Sequence, residues 1–170
     1  QAPKLLALAI DHRIQLEAIA DKVGAPRERI APFKRLAIAA IGKVANGKPG
    51  FGTPLDDTYG RDAMFEAAKL SLWVARPLEQ PGSRPLRFEF TQDVGARLVE
   101  WPVTHNIKCL AFYHPDDPAE LKAEQAQKLR TLYEAARKIG RELLVEIIAG
   151  KHGSVTDDTV SRALADLYAL

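Results

Sequence analysis

Five times along this chain a short apolar run gives way to a longer amphipathic stretch, and that alternation limits the possible folds more than any other feature. The first run, Leu5 to Asp11, is continuous and apolar before its terminal charge, the pattern of a buried strand. Phe51 to Asp56, Leu70 to Pro77, Ile107 to His114 and Glu142 to Ala149 repeat the theme. Between them lie helical stretches. Leu16, Ile19 and Ala20 share one face before Gly24. Leu36, Ala37, Ala40, Ile41 and Val44 follow Pro32 and end at Asn46-Gly47. Residues from about Arg61 to Lys69 make a third helix. Asp117-Pro118-Ala119-Glu120 opens a fourth, with Asp117 as its expected cap. Its stripe is Leu121, Ala126, Leu129, Leu132, Tyr133 and Ala136, and Gly140 closes it. Thr156 is placed to cap a last helix through Val160, Ala163, Leu164 and Leu167. Gln80 to Pro85 reads as a loop and Arg87 to Phe90 as a short accessory strand. Strands separated by helices must run parallel, so the class is α/β.

Two architectures suit this pattern. An open doubly wound sheet is complete at 170 residues, and a (β/α)8 TIM barrel, at ~250 residues, is not. The faces of the strands favour the barrel. Leu143, Val145, Ile147 and Ala149 make an apolar face suited to covering helices, whereas the opposite side carries Glu142 and Glu146. Lys108, Leu110, Phe112 and His114 share a side of the fourth strand. An open sheet covered by helices on both sides wants two apolar faces. Asp11, Asp56 and His114 fall at the carboxyl ends of strands, where barrel enzymes build their sites. Lys108 and Glu146 sit deeper, where each needs a partner.

Composition narrows the function. A net charge of +2 with no charged block argues against a nucleic-acid surface. No apolar run approaches the ~20 residues of a membrane helix. A single cysteine leaves no internal disulfide and suits a reducing, cytoplasmic setting. His12, His105, His114 and His152 lack metal-site spacing, so no metal or other cofactor is expected. The start Gln1-Ala2-Pro3 has neither an initiator Met nor a leader, and the chain stops where a sixth strand would begin. Residues 1–170 thus read as a single barrel domain, incomplete at its C-terminus, holding about five βα units. Raw strand edges in such a piece predict assembly, as a homo-oligomer or with another domain.

Several stretches carry a family resemblance: Ala9-Ile10-Asp11-His12-Arg13, Pro54 to Gly60, Arg76 to Leu86, Ile107 to Asp117 and Val145 to Ala149. They resemble the aldolase-like domain of myo-inositol catabolism, often fused to a 5-dehydro-2-deoxygluconokinase domain. More distantly the chain is similar to class I tagatose 1,6-bisphosphate aldolase. The resemblance covers essentially the whole chain and implies a barrel that acts as a carbon–carbon lyase. Its substrate would be 5-dehydro-2-deoxygluconate 6-phosphate, cleaved to dihydroxyacetone phosphate and malonate semialdehyde through a Schiff base. In the tagatose-type relatives the Schiff-base lysine lies on strand six, beyond Leu170. The alternative is a non-catalytic barrel that partners a fused sugar kinase.

Matched position by position, Asp11, Lys108 and Glu146 are the candidate catalytic residues, and Asp56 and Arg76 the candidate substrate-binding ones. Glu146 suits the acid/base role. Lys108 suits a charge network around the imine, or the nucleophile itself. Asp11 is placed to accept a hydrogen bond from substrate or from the imine lysine, or else to cap the next helix. Asp56 is placed to bind a substrate hydroxyl or to make an Asx turn before Tyr59. Arg76 is placed to bind an anion or to pair with a neighbouring carboxylate such as Glu79. Lys151 is available to an anion at the mouth, while Cys109, Trp73 and Trp101 read as packing.

Overall fold

A computed structural model describes residues 4–90 and 93–169. Gln1, Ala2, Pro3 and Leu170, read above as the ends of a piece, lie outside the described residues. The class is α/β. Hydrogen-bonded strands follow chain order: β1 (Leu6–Ala7), β2 (Phe51–Pro54), β3 (Trp73–Pro77), β4 (His105–Phe112) and β5 (Leu143–Ile148). No reversal of order, the mark of a doubly wound sheet, occurs among them. The chain divides into two compact units, Gln1–Pro77 with Thr104–Asn106, and Leu78–Val103 with Ile107–Leu170.

In the first unit β1 pairs with β2 and β2 with β3, both parallel. Gly52 permits the second pairing, because a Cβ there would lie 2.5 Å from the Trp73 carbonyl oxygen. The helices are α1 (Ile14–Lys22), α2 (Ile30–Ala45) and α3 (Arg61–Lys69), with a 3-10 turn at Arg27–Arg29. α1 stops before Gly24, and α2 ends on Asn46 in the left-handed region, as their sequences foretell. The core joins Ile38, Ile41 and Ala45 of α2 to Ala63, Met64 and Ala67 of α3 and to Leu55 and Val74.

Two expectations fail in this unit. Leu5 to Asp11 is not a buried strand: the ladder holds only Leu6 and Ala7, and Leu6 is 63% exposed. β1 pairs with β2 alone, so it is an edge strand that leaves one row of backbone groups open. The apolar stripe of α2 is also rotated from the one expected. Ile30, Lys34, Ile38, Ile41 and Ala45 are buried, while Leu36 and Val44 face solvent. A lysine within the stripe hid the true period.

In the second unit β4 and β5 form a six-residue parallel ladder from Ile107–Leu143 to Phe112–Ile148. The Leu78 N–H donates to the Lys108 carbonyl. The helices are α4 (Val94–Val99), α5 (Ala119–Lys138) and α6 (Thr159–Tyr168). Ile107, Cys109 and Ala111 of β4 pack with Leu129, Leu132 and Ala136 of α5 and with Leu86, Leu98 and Trp101. Cys109 thus packs on the helix side of the strand, away from Lys108, and burial pushes its thiol well above the ordinary range.

Five details differ from the sequence reading. α4 was not foreseen, although Asp93 caps it by accepting from the Ala96 N–H at 3.0 Å. Arg87 to Phe90 yields a single antiparallel bridge, Glu79 to Phe88, rather than a strand. Asp117 does not cap α5. Its carboxylate accepts instead from the His114 N–H at 3.0 Å and pairs with Arg84. Thr156 leaves the capping position to Asp158 and bonds the Asp158 carboxylate at 2.6 Å, so α6 begins at Thr159. Only Ala163 of its expected stripe is buried; Val160 and Leu164 are each 53% exposed.

α6 is tethered by its acids. Asp116 pairs with Arg162, and Asp166 accepts from the Tyr113 hydroxyl at 2.8 Å. The Arg162 and Tyr113 hydrogen bonds hold these two carboxyls below their ordinary value of 3.8. A depressed carboxyl contributes stability above its unfolded value and loses it as pH falls through its folded value. Acidification below about pH 4 is therefore expected to loosen α6 first. Amide exchange in α6 should accelerate there before exchange in α5 does.

Candidate functional site

The first unit gathers an ionic cluster where β1 and β2 end. Asp56 follows β2, and both of its carboxylate oxygens are engaged. Oδ1 accepts the Tyr59 N–H at 2.8 Å, and Oδ2 pairs with Lys34. Lys34 and Asp56 are both fully buried. Lys34 also donates to the His12 carbonyl at 2.9 Å, so one ammonium ties α2 to the segment after β1 and to the turn after β2. Desolvation holds the Lys34 amine below its ordinary value; Asp56 and Asp11 pull it up, and Arg13 opposes them. Asp11 and Arg13 are themselves 6% and 5% exposed. The N-cap position of α1 is Arg13 rather than Asp11, and the Arg13 side chain makes no capping bond. Arg76, at the end of β3, pairs with Asp57. Tyr59 donates its hydroxyl to Glu17 at 2.7 Å, and Glu17 also accepts from Arg27. Asp11, Asp56 and Arg76 are thus brought to one region, and its organiser is Lys34, a residue the sequence reading passed over. The available signal was its position four residues from both Ile30 and Ile38.

The second unit holds the other expected pair. Lys108 Nζ lies 2.8 Å from Glu146 Oε2. In the ladder Leu110 is the register partner of Glu146, and Leu144 that of Lys108, so the pair is diagonal across neighbouring strands. The two partners differ in surroundings. The Lys108 side chain is 6% exposed, whereas that of Glu146 is 46% exposed. Glu146 is therefore not sealed in an apolar lumen, as its place in the strand suggested. It stands at the solvent boundary. Glu79 is buried beside this strand and accepts the Leu110 N–H at 3.1 Å. That carboxylate takes a bond that the strand's own backbone would otherwise accept.

Beyond the ends of β4 and β5 the chain folds back on itself. His114 is buried, with Nε2 3.0 Å from the Ser154 carbonyl and Nδ1 accepting the Asp116 N–H at 3.2 Å. The proton of the neutral ring is therefore on Nε2. Lys151 Nζ lies 4.1 Å from the centre of the Phe112 ring, and the His152 ring meets the same ring edge-on at 5.6 Å. Gly153 makes this fold possible, since a Cβ there would come within 2.6 Å of the buried His114 ring. Gly153→Ala is expected to push the loop away and cost about 1–3 kcal/mol. The check is a urea melt together with the His114 Nε2–H resonance, which should lose its protection from exchange.

Among the described residues, no group of three His, Cys, Asp or Glu is placed to hold a metal ion. No described helix is long and apolar enough to cross a membrane. A search of curated proteins finds no match to the chain. A family model described as "Uncharacterized protein conserved in bacteria (DUF2090)" matches residues 1–170. A match over that whole span makes this chain a member of the bacterial DUF2090 family.

Proposed function

We propose that the protein is a carbon–carbon lyase that cleaves a phosphorylated keto-sugar acid through an imine. The reading places its strands in a (β/α)8 barrel of the class I aldolase type, which the strand order supports. The observation that carries it is the Lys108–Glu146 pair, a buried amine in contact with a half-exposed carboxylate. A proton passing from ammonium to carboxylate yields both species that the first step needs. The free amine adds to the ketone carbon, and the carboxylic acid returns the proton to the carbinolamine hydroxyl, which departs as water. The resulting iminium accepts the electron pair of the breaking carbon–carbon bond. The Glu146 carboxylate takes the proton of the hydroxyl that becomes the product aldehyde. Protonation of the enamine carbon and hydrolysis by water then restore the amine. Asp56, with both oxygens engaged, acts by holding the turn that follows β2.

For 5-dehydro-2-deoxygluconate 6-phosphate the products are dihydroxyacetone phosphate and malonate semialdehyde. The test is borohydride reduction of the full-length protein with dihydroxyacetone phosphate, followed by peptide mapping. The expected result is an irreversible adduct on Lys108. Absence of any adduct overturns the imine reading and favours a non-catalytic barrel that partners a sugar kinase.

A further inference from the structure

We propose an oxyanion site for a phosphate monoester, formed by Arg84, Lys151 and His152 at the carboxyl ends of β4 and β5. It deepens the lyase reading by naming where the phosphate of the sugar acid docks, and rests on that reading for the rest of the ligand.

The placement comes from the contacts of one unit. Lys151 and His152 both lie against the Phe112 ring. Arg84 reaches the same strand end through Asp117, whose other oxygen accepts the His114 N–H. Asp117 is the acid that acts on His152, and it is already shared between a guanidinium and a backbone amide. The charges of Arg84 and Lys151 both reach His152 and, after desolvation, hold its imidazole below the ordinary value of 6.5, against the pull of Asp117. Three cationic or ionisable groups therefore crowd a strand end whose nearby carboxylates are already engaged: Asp117 by Arg84, Asp116 by Arg162 and Asp166 by the Tyr113 hydroxyl. That excess of positive charge is the electrostatic complement of a dianion.

A second observation points to a missing acceptor. The Nε–H of Arg84 is shielded from solvent and has no hydrogen-bond partner among the described residues. A buried donor without an acceptor is unfavourable, and a guanidinium re-aimed onto a phosphate oxygen regains that bond. The loop that carries Lys151 and His152 is held over the site by the Ser154 carbonyl on His114, with Gly153 in close contact. The His114–Ser154 bond thus positions the two loop groups without touching the ligand.

The experiment is a titration of the full-length protein with inorganic phosphate at constant ionic strength, followed through the histidine ring resonances. A saturable shift of His152 is expected, with its titration midpoint rising as the bound dianion offsets its cationic neighbours. Lys151→Met, an exposed substitution, is expected to weaken phosphate at least about tenfold, and Arg84→Met likewise. No saturable shift, or unchanged affinity in the folded Lys151→Met variant, overturns the site. Imine trapping separates this inference from the lyase reading. Phosphate binding without any trapped imine retains the site and removes the lyase. Trapping of dihydroxyacetone phosphate that Lys151→Met leaves unchanged retains the lyase and removes the site.

Discussion

Lys34→Met is expected to destabilise the fold by about 3–5 kcal/mol, because it leaves the Asp56 carboxylate buried without its cation. Neither member of that pair is exposed to solvent. Water therefore does not replace the lost ammonium, and the His12 carbonyl loses its donor as well. The double variant Lys34→Met with Asp56→Asn should recover most of the loss. Asparagine keeps an oxygen for the Tyr59 N–H and brings no charge to bury. Urea melts with matched slopes are the measurement. A single variant within about 1 kcal/mol of the parent would show that the pair is not the anchor of this unit. Raising the pH should not weaken the fold through Lys34 itself. Burial holds its folded value below its unfolded one, so its charge costs stability while both states keep the proton, and that cost is relieved as pH climbs from the folded toward the unfolded value.

Glu146→Gln is expected to lower kcat of the proposed cleavage by about 10²–10⁴-fold, with KM little changed. The amide keeps the shape and a contact to Lys108, but it neither accepts the hydroxyl proton nor returns one to the carbinolamine. Lys108→Met should abolish both turnover and the borohydride adduct. The two variants differ in their readout, since Glu146→Gln retains slow imine formation. Both should fold. Glu146 is half-exposed, so a lost partner at either position leaves it in contact with water. Equal kcat in the parent and Glu146→Gln would remove this carboxylate from the mechanism.

Much of the architecture was legible from periodicity. The α3 boundaries Arg61 to Lys69 coincide with the sequence reading, and β4 and β5 differ from it by one or two residues at each end. These elements have strong apolar patterning against a helix or strand that covers them, so local pattern and tertiary burial agree. The failures lie where that agreement breaks. β1 is apolar and yet exposed, because burial depends on a neighbour that sequence does not name. The stripe of α2 was misread because a lysine occupies a core position, and only the nearby Asp56 makes that position tolerable.

The candidate site divides in the same way. The types of its residues, and their places near the carboxyl ends of strands or along the ladder, follow from the sequence, since alternation fixes which residues share a side. The pairing of Lys108 with Glu146 also follows from parallel neighbours in chain order. What tertiary structure alone decided is exposure and partnership: that Glu146 meets solvent, that Asp56 is saturated by Lys34 and Tyr59, and that Asp117 serves Arg84 and His114 rather than a helix end. Those outcomes depend on groups up to 33 residues apart in the chain, whose meeting is set by long-range packing and lies outside any local pattern.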